Sequence, residues 1–198
     1  MARKDIYLWI LLIAFLSAWS WAAINPLYFD DWLLENLLIF ILVPIIIVTR
    51  KTFEFSLLSY LFITVFAILH VIGSHYTYAE VPWGVTLGEC LGTDRNMYDR
   101  LVHMLFGVLL VYPVYEIYVR TVRSSAFWSY VVPFMIISAF SGIYEVIEWG
   151  AAEVVDPEAG IAFLGSQGDI WDAQKDMLLA KIGAIFTLGL VWLFSRKS

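Results

Sequence analysis

NMYDRLVHMLFGVLLVYPVYEIYVRTVR, residues 96–123, decides the fold. Its apolar body, residues 97–119, is long enough to cross the hydrocarbon core of a bilayer as one helix, which takes about 20 residues. Asp99 and His103 stand at one end of it, Arg120 and Arg123 at the other. The same asymmetry runs through the whole chain.

Five further stretches have the required length and apolarity: residues 6–24, 32–49, 55–73, 127–149 and 177–194. The composition agrees, with 61% hydrophobic, 17% aromatic and 15% charged residues in 198. Mean hydropathy is +0.78. Pro44, Pro113 and Pro133 fall inside spans, where neighbouring helices can satisfy the freed backbone groups. The expectation is an all-α membrane bundle of six transmembrane helices, a single integral-membrane domain over residues 1–198. A net charge of −6 and an isoelectric point near 4.9 argue against nucleic acid as a partner. The single Cys90 excludes an internal disulfide. The lipid bilayer is the expected surrounding, and the sequence leaves the oligomeric state open.

Arg3, Lys4, Arg50, Lys51, Arg120, Arg123, Arg196 and Lys197 cluster at the N-terminus, two loops and the C-terminus, which the positive-inside rule places with both termini in the cytoplasm. Asp30, Asp31, Glu80, Glu89, Asp94, Glu153, Asp156 and Glu158 fall on the other side. Arg3-Lys4, an apolar run and Ala22-Ala23 also fit a signal peptide. The run is long for that, and Trp19 and Trp21 suit an interfacial belt, so an uncleaved first helix is expected.

Two loops on the acidic side, residues 74–96 and 150–168, are longer than a helix connection needs and read as lid or binding loops. Tyr76, Tyr78 and Trp83 are expected at headgroup level. Gly73 reads as a helix terminator, leaving His70 in the last turn of the third span and His75 beyond it. Asp99 and His103 share a face of the fourth span, and Glu145 and Glu148 share a face of the fifth with Ser138, Ser141 and Gly142. Asp169, Asp172 and Asp176 open the sixth, continued by Ala180, Gly183 and Thr187.

Depth sorts these groups. Asp99, Glu148, Asp169, Asp172 and His75 lie at the rim; His70, His103, Glu145 and Asp176 lie about one turn, roughly 5 Å, deeper. Helix capping accounts for Asn96 with Asp99 and for Asp169 with Asp172, but not for His103 or Asp176. Ionisable groups inside a membrane point to function by default. Imidazole with carboxylate suits a divalent transition metal, Zn, Mn or Fe, with His70, His75, His103, Glu145 and Asp176 as candidate ligands. Asp99, Glu148 and Asp172 are the candidate acid–base residues. A metal-free proton relay and a purely structural hydrogen-bond network are the alternatives. No His-Glu-x-x-His or Glu-x-x-His pair is present.

Asp99-x-x-x-His103, Glu145-x-x-Glu148 and Asp172-x-x-x-Asp176 before Gly183 resemble the VanZ-like membrane proteins. Three departures stand out: Glu148 where those chains tend to have Gln, Asp176 where they tend to have Asn, and a missing Arg. Antibiotic resistance is therefore not carried over. The wider string is closer to the YjdF-like bacterial inner-membrane proteins: His70, Gly-Ser-His75-Tyr-Thr-Tyr, Asp99 to His103, Tyr-Glu145-x-x-Glu148-Trp, and Gly-Ser-Gln-Gly-Asp169-x-Trp-Asp172-Ala-Gln-Lys-Asp176. That resemblance, over roughly residues 35–195, implies a multi-pass protein of the bacterial cytoplasmic membrane without an established activity. Three functions follow from the residues: a metal-dependent enzyme on a lipid or cell-envelope substrate, a transporter or ion-binding protein, or a non-catalytic membrane partner.

Overall fold

A computed structural model describes residues 3–154, 160 and 164–195. Among these the elements are helices: α1 (Arg3–Ala22), α2 (Phe29–Thr49), α3 (Leu57–His75), α4 (Pro82–Cys90), α5 (Tyr98–Thr121), α6 (Ala126–Ala152) and α7 (Asp172–Ser195). All but α4 are long and apolar enough to cross a membrane. The expected Asp156, Glu158, Arg196 and Lys197, with much of the second long loop, lie outside the described residues.

Three helices begin three or more residues earlier than the apolar pattern suggests, α1 (at Arg3, with Asp5 in its first turn) among them. α2 starts at Phe29 and α7 at Asp172 because their first turns are acidic, and carboxylates there suit the helix dipole. α3 starts at Leu57, where the Ser56 side chain accepts the Ser59 N–H. Gly73 does not end α3, which runs on to His75. The glycine serves packing instead: a Cβ there would meet the Tyr78 ring at 2.6 Å. Residues 74–96 are also not a plain loop. Pro82, preset for a first helical turn, opens α4, which packs against α5.

α5 is the hub, in contact with α3, α4, α6 and α7, while α1 and α2 pack on α3. The α5–α7 approach is backbone to backbone. A methyl group on Gly107 would lie 1.9 Å from the Ala180 carbonyl oxygen, and one on Gly183 2.2 Å from that of Met104. One turn further along, the Thr187 hydroxyl donates to the Val108 carbonyl at 2.8 Å. Small residues permit this closeness, and in a membrane close packing supplies much of the association energy. The buried stripe Ala180, Gly183, Thr187 thus faces the bundle.

At the basic end a second polar knot holds α3 to α5. Buried Glu116 accepts from the Ser56 N–H at 2.8 Å, from the hydroxyls of Ser56 at 2.9 Å and Ser59 at 2.5 Å, and from Arg120 at 2.6 Å. Arg120 also lies 4.3 Å over the Phe53 ring. The charged groups therefore do not all gather at one end. An isolated carboxylate in an apolar run here terminates a neighbouring helix.

Gly107→Ala should destabilise the protein by about 1–3 kcal/mol, the usual cost of overpacking. Nothing lies within 4 Å of a Cβ at Gly189, so Gly189→Ala should stay within about 0.5 kcal/mol of wild type. Unfolding midpoints in detergent compare the two.

Candidate functional site

The α5–α7 contact sets the site. It brings Asp99 and His103 of α5 against Asp176 of α7, so that one donor atom from each lies within 4.8 Å of the others. His103 sits between carboxylates, its Nε2 3.4 Å from Asp99 Oδ1 and its Nδ1 3.7 Å from Glu145 Oε1 of α6. The Glu145 and Glu148 carboxyl groups adjoin, one helical turn apart. Buried Asp176 Oδ1 and Glu145 Oε1 have no hydrogen-bond partner among the described residues. No Lys or Arg of the described residues forms an ion pair with Glu145, Glu148 or Asp176.

Above this layer lies a rim of true ion pairs. Arg95 reaches Asp172 Oδ1 at 2.5 Å, and Arg100 bridges Asp172 at 2.9 Å and Asp169 at 2.7 Å. Lys175 completes the group on Asp169 at 2.5 Å. Lys175 beside Asp169, together with the Trp171 N–H, holds that carboxyl below the usual carboxylate range. Asp172, a candidate acid–base residue by sequence, is thus engaged by two guanidinium groups, which leaves it poorly placed to exchange protons. The rim is tied to the first long loop by a reciprocal amide clasp. Gln167 accepts the Asn96 N–H at 2.9 Å and donates to the Asn96 carbonyl at 3.1 Å. Gln167 holds φ at +48° to do so, a conformation costing roughly 1–2 kcal/mol for a residue with a Cβ.

His70 and His75 do not join the donor group. His70 donates from Nε2 to the Glu35 carbonyl at 3.0 Å, while its Nδ1 meets the Tyr78 hydroxyl at 2.5 Å. Burial pushes the Tyr78 phenol well above its ordinary value, so it keeps its proton and donates it. Both ring nitrogens of His70 are consumed. Tyr78, expected at headgroup level, instead turns inward through two consecutive left-handed residues, Thr77 at +53° and Tyr78 at +50°. His75 donates from Nδ1 to the Ala22 carbonyl at 3.1 Å and packs its ring, tilted by 32°, 4.5 Å from that of Trp21, closing α1 onto α3.

Two further helices' worth of polarity escaped the sequence reading. Glu35 of α2 is buried; its Oε2 accepts the Tyr144 hydroxyl of α6 at 2.8 Å and lies 3.8 Å from His70 Nε2. Its neighbour Asn36 accepts from Trp19 Nε1 at 2.8 Å and donates to the Trp32 carbonyl at 2.7 Å. An acidic residue inside an apolar run was itself the signal. Tyr144 and His70, the partners of Glu35, line a cavity of about 90 Å³. Its polar wall includes His70, Tyr78, Asp99, His103, Ser141, Tyr144 and Glu148; its apolar wall is Leu38, Phe66, Val102, Phe106 and Phe140. That is room for a few water molecules or a short apolar group.

Arg95→Ala and Asp172→Ala should each lower stability. Their combined effect should fall short of the sum by about 1–3 kcal/mol, as expected for a nearly buried charge-assisted pair. A double-mutant cycle on unfolding midpoints in detergent measures this coupling.

The comparisons accord with the helical membrane architecture. Residues 7–197 match the family described as "Predicted membrane protein (DUF2238)". The inner membrane protein YjdF of Escherichia coli (strain K12) is 38% identical over 159 residues, covering 79% of this chain and 75% of that protein. No solved structure matches. With a family match over nearly its whole length and a relative this similar, the chain belongs to the DUF2238 family of membrane proteins.

Proposed function

We propose that this protein binds a divalent transition metal through Asp99, His103 and Asp176, with Glu145 facing the other ring nitrogen of His103 and orienting it, and uses the metal on a lipid or cell-envelope substrate. One observation carries the reading: three donors from two helices converge, and one of these residues, Asp176, keeps a buried oxygen without a protein partner, as does Glu145 beside His103. A first-row cation bonds oxygen and imidazole nitrogen at about 2.0–2.2 Å, so donors 4.8 Å apart need to draw in by less than about 1 Å each. Mixed carboxylate and imidazole ligation suits Zn, Mn or Fe. A cation here would polarise a substrate oxygen or activate water. Glu148, on the wall of the adjoining cavity, is placed to accept a proton. The apolar wall opposite suits the chain end of a lipid. His70, fixed by Tyr78 and Glu35, shapes the cavity rather than ligating.

A second reading, proton-coupled transport, is favoured by the buried line from Tyr144 through Glu35 to His70 and Tyr78. Metal content separates the two. Detergent-purified wild type should carry near-stoichiometric transition metal by elemental analysis. His103→Ala and Asp176→Ala should lose it while keeping an unfolding midpoint close to wild type. Metal-free wild type that resists reconstitution would remove the enzyme reading.

The proposed setting is the bacterial cytoplasmic membrane, supported by the naming of the Escherichia coli relative as an inner membrane protein. The proposed orientation, termini inside and cluster outside, rests on the Arg and Lys asymmetry. A reporter fused after Arg123 should stay cytoplasmic, and one inserted near Pro157 should be exported. Both on one side would refute that orientation.

A further inference from the structure

α1 and α2 both pack on α3 but separate from each other toward the basic end. At the acidic end they are joined, by Trp19 on Asn36 and by the Trp19 and Phe40 rings 6.4 Å apart. Between them opens a crevice of about 170 Å³ floored by α3. From Leu8 to Phe15 it follows α1 for seven residues, roughly 10 Å. One half of a bilayer's hydrocarbon core is about 15 Å thick. The walls are apolar except for Thr64 and the groups at the mouth, and the crevice shares no residue with the acidic cluster.

Two groups at the mouth are polar. Arg50 stands 3.9 Å from Asp5, at the outer limit of an ion pair, and its side chain is 48% exposed. Tyr60 lines the crevice and is 8% exposed, and its hydroxyl is buried without a hydrogen-bond partner among the described residues. Leaving a buried hydroxyl unpaired costs about 1–3 kcal/mol, and hydrocarbon offers no water to relieve it. An acceptor arriving with the occupant relieves it.

We propose that the crevice is a binding site for an anionic diacyl phospholipid. One acyl chain lies along α1 and α3, an ester carbonyl accepts from Tyr60, and the phosphate-bearing headgroup faces Arg50. The charge complementarity selects this occupant: Lys51 follows Arg50 in the chain, and a basic pocket between helices is suited to an anionic headgroup. The ester carbonyls of such a lipid lie just below its phosphate, as Tyr60 lies just inside Arg50.

Native mass spectrometry of the full detergent-purified chain, titrated with phosphatidylglycerol, phosphatidylcholine and oleate, tests this. Wild type should retain one phosphatidylglycerol about fivefold more tightly than phosphatidylcholine, the weight of one basic residue against an anionic surface. Arg50→Gln should abolish that preference and leave phosphatidylcholine retention unchanged. Tyr60→Phe should weaken both phospholipids alike, by about fivefold for one hydrogen bond, because both carry the ester. Equal retention of the two phospholipids by wild type would overturn the proposal, as would both variants matching wild type. Oleate held as tightly as phosphatidylglycerol would assign the crevice to a single-chain carboxylate. A lipid-free dimer would assign it to a second copy of the chain. Metal content plays no part in the readout, so the outcome is independent of the proposed metal site.

Discussion

The close approach of α5 and α7 is the constraint on which the rest depends. Gly107 against Ala180 and Gly183 against Met104 bring two backbones together where any side chain would hold them apart. Asp99 and His103 lie one to two turns from Gly107, and Asp176 lies about two turns from Gly183. The distance across the site is therefore fixed by glycine, not by attraction among the acidic groups. Attraction could not do it: like charges 4 Å apart repel by about 4 kcal/mol at an effective dielectric of 20.

Charge is handled differently in the two layers at that end. At the rim, three cations meet Asp169 and Asp172 in geometry close enough for charge-assisted bonds. One turn deeper, Glu145 and Asp176 face a single imidazole together with Asp99, which itself lies 3.9 Å from Arg95. A fully buried and unpaired charge costs several kcal/mol, so this layer requires protons or a cation shared among its members. The arginines stop at the rim. That division separates carboxylates matched by protein cations from carboxylates that are not.

Much of this was legible in the sequence. Six apolar runs and their charged ends define the spans, and i, i+4 spacing puts Asp99 and His103 on one face. The meeting of His103 with Glu145 follows from equal depth on neighbouring helices. What stayed hidden depended on contacts between distant segments. Gly73 carries the mark of a helix end, yet its use is to admit the Tyr78 ring, which no local pattern reveals. Tyr78 looks like a belt residue until its backbone turns left-handed and carries the ring under α3. Arg95 and Arg100 break the topological charge pattern, and only the fold shows that they clamp Asp169 and Asp172. Glu35 and Glu116 are single acidic residues in apolar runs, one serving α6 and the other α3.

The Glu35–Tyr144 hydrogen bond joins residues 109 positions apart. During synthesis α2 enters the bilayer long before α6 exists. At about 5–20 residues per second, Glu35 waits roughly 5–20 s for its partner. Trp19 and Asn36 are made close together and can pair at once, holding α1 to α2 through the delay. The N-terminal helices thus form an early, incomplete unit with one carboxyl group exposed to lipid or to whatever chaperones the insertion. Glu35 is satisfied with the sixth element of the chain, and the polar interior is complete only when the seventh brings Asp176, so assembly is ordered from the first helices to the last.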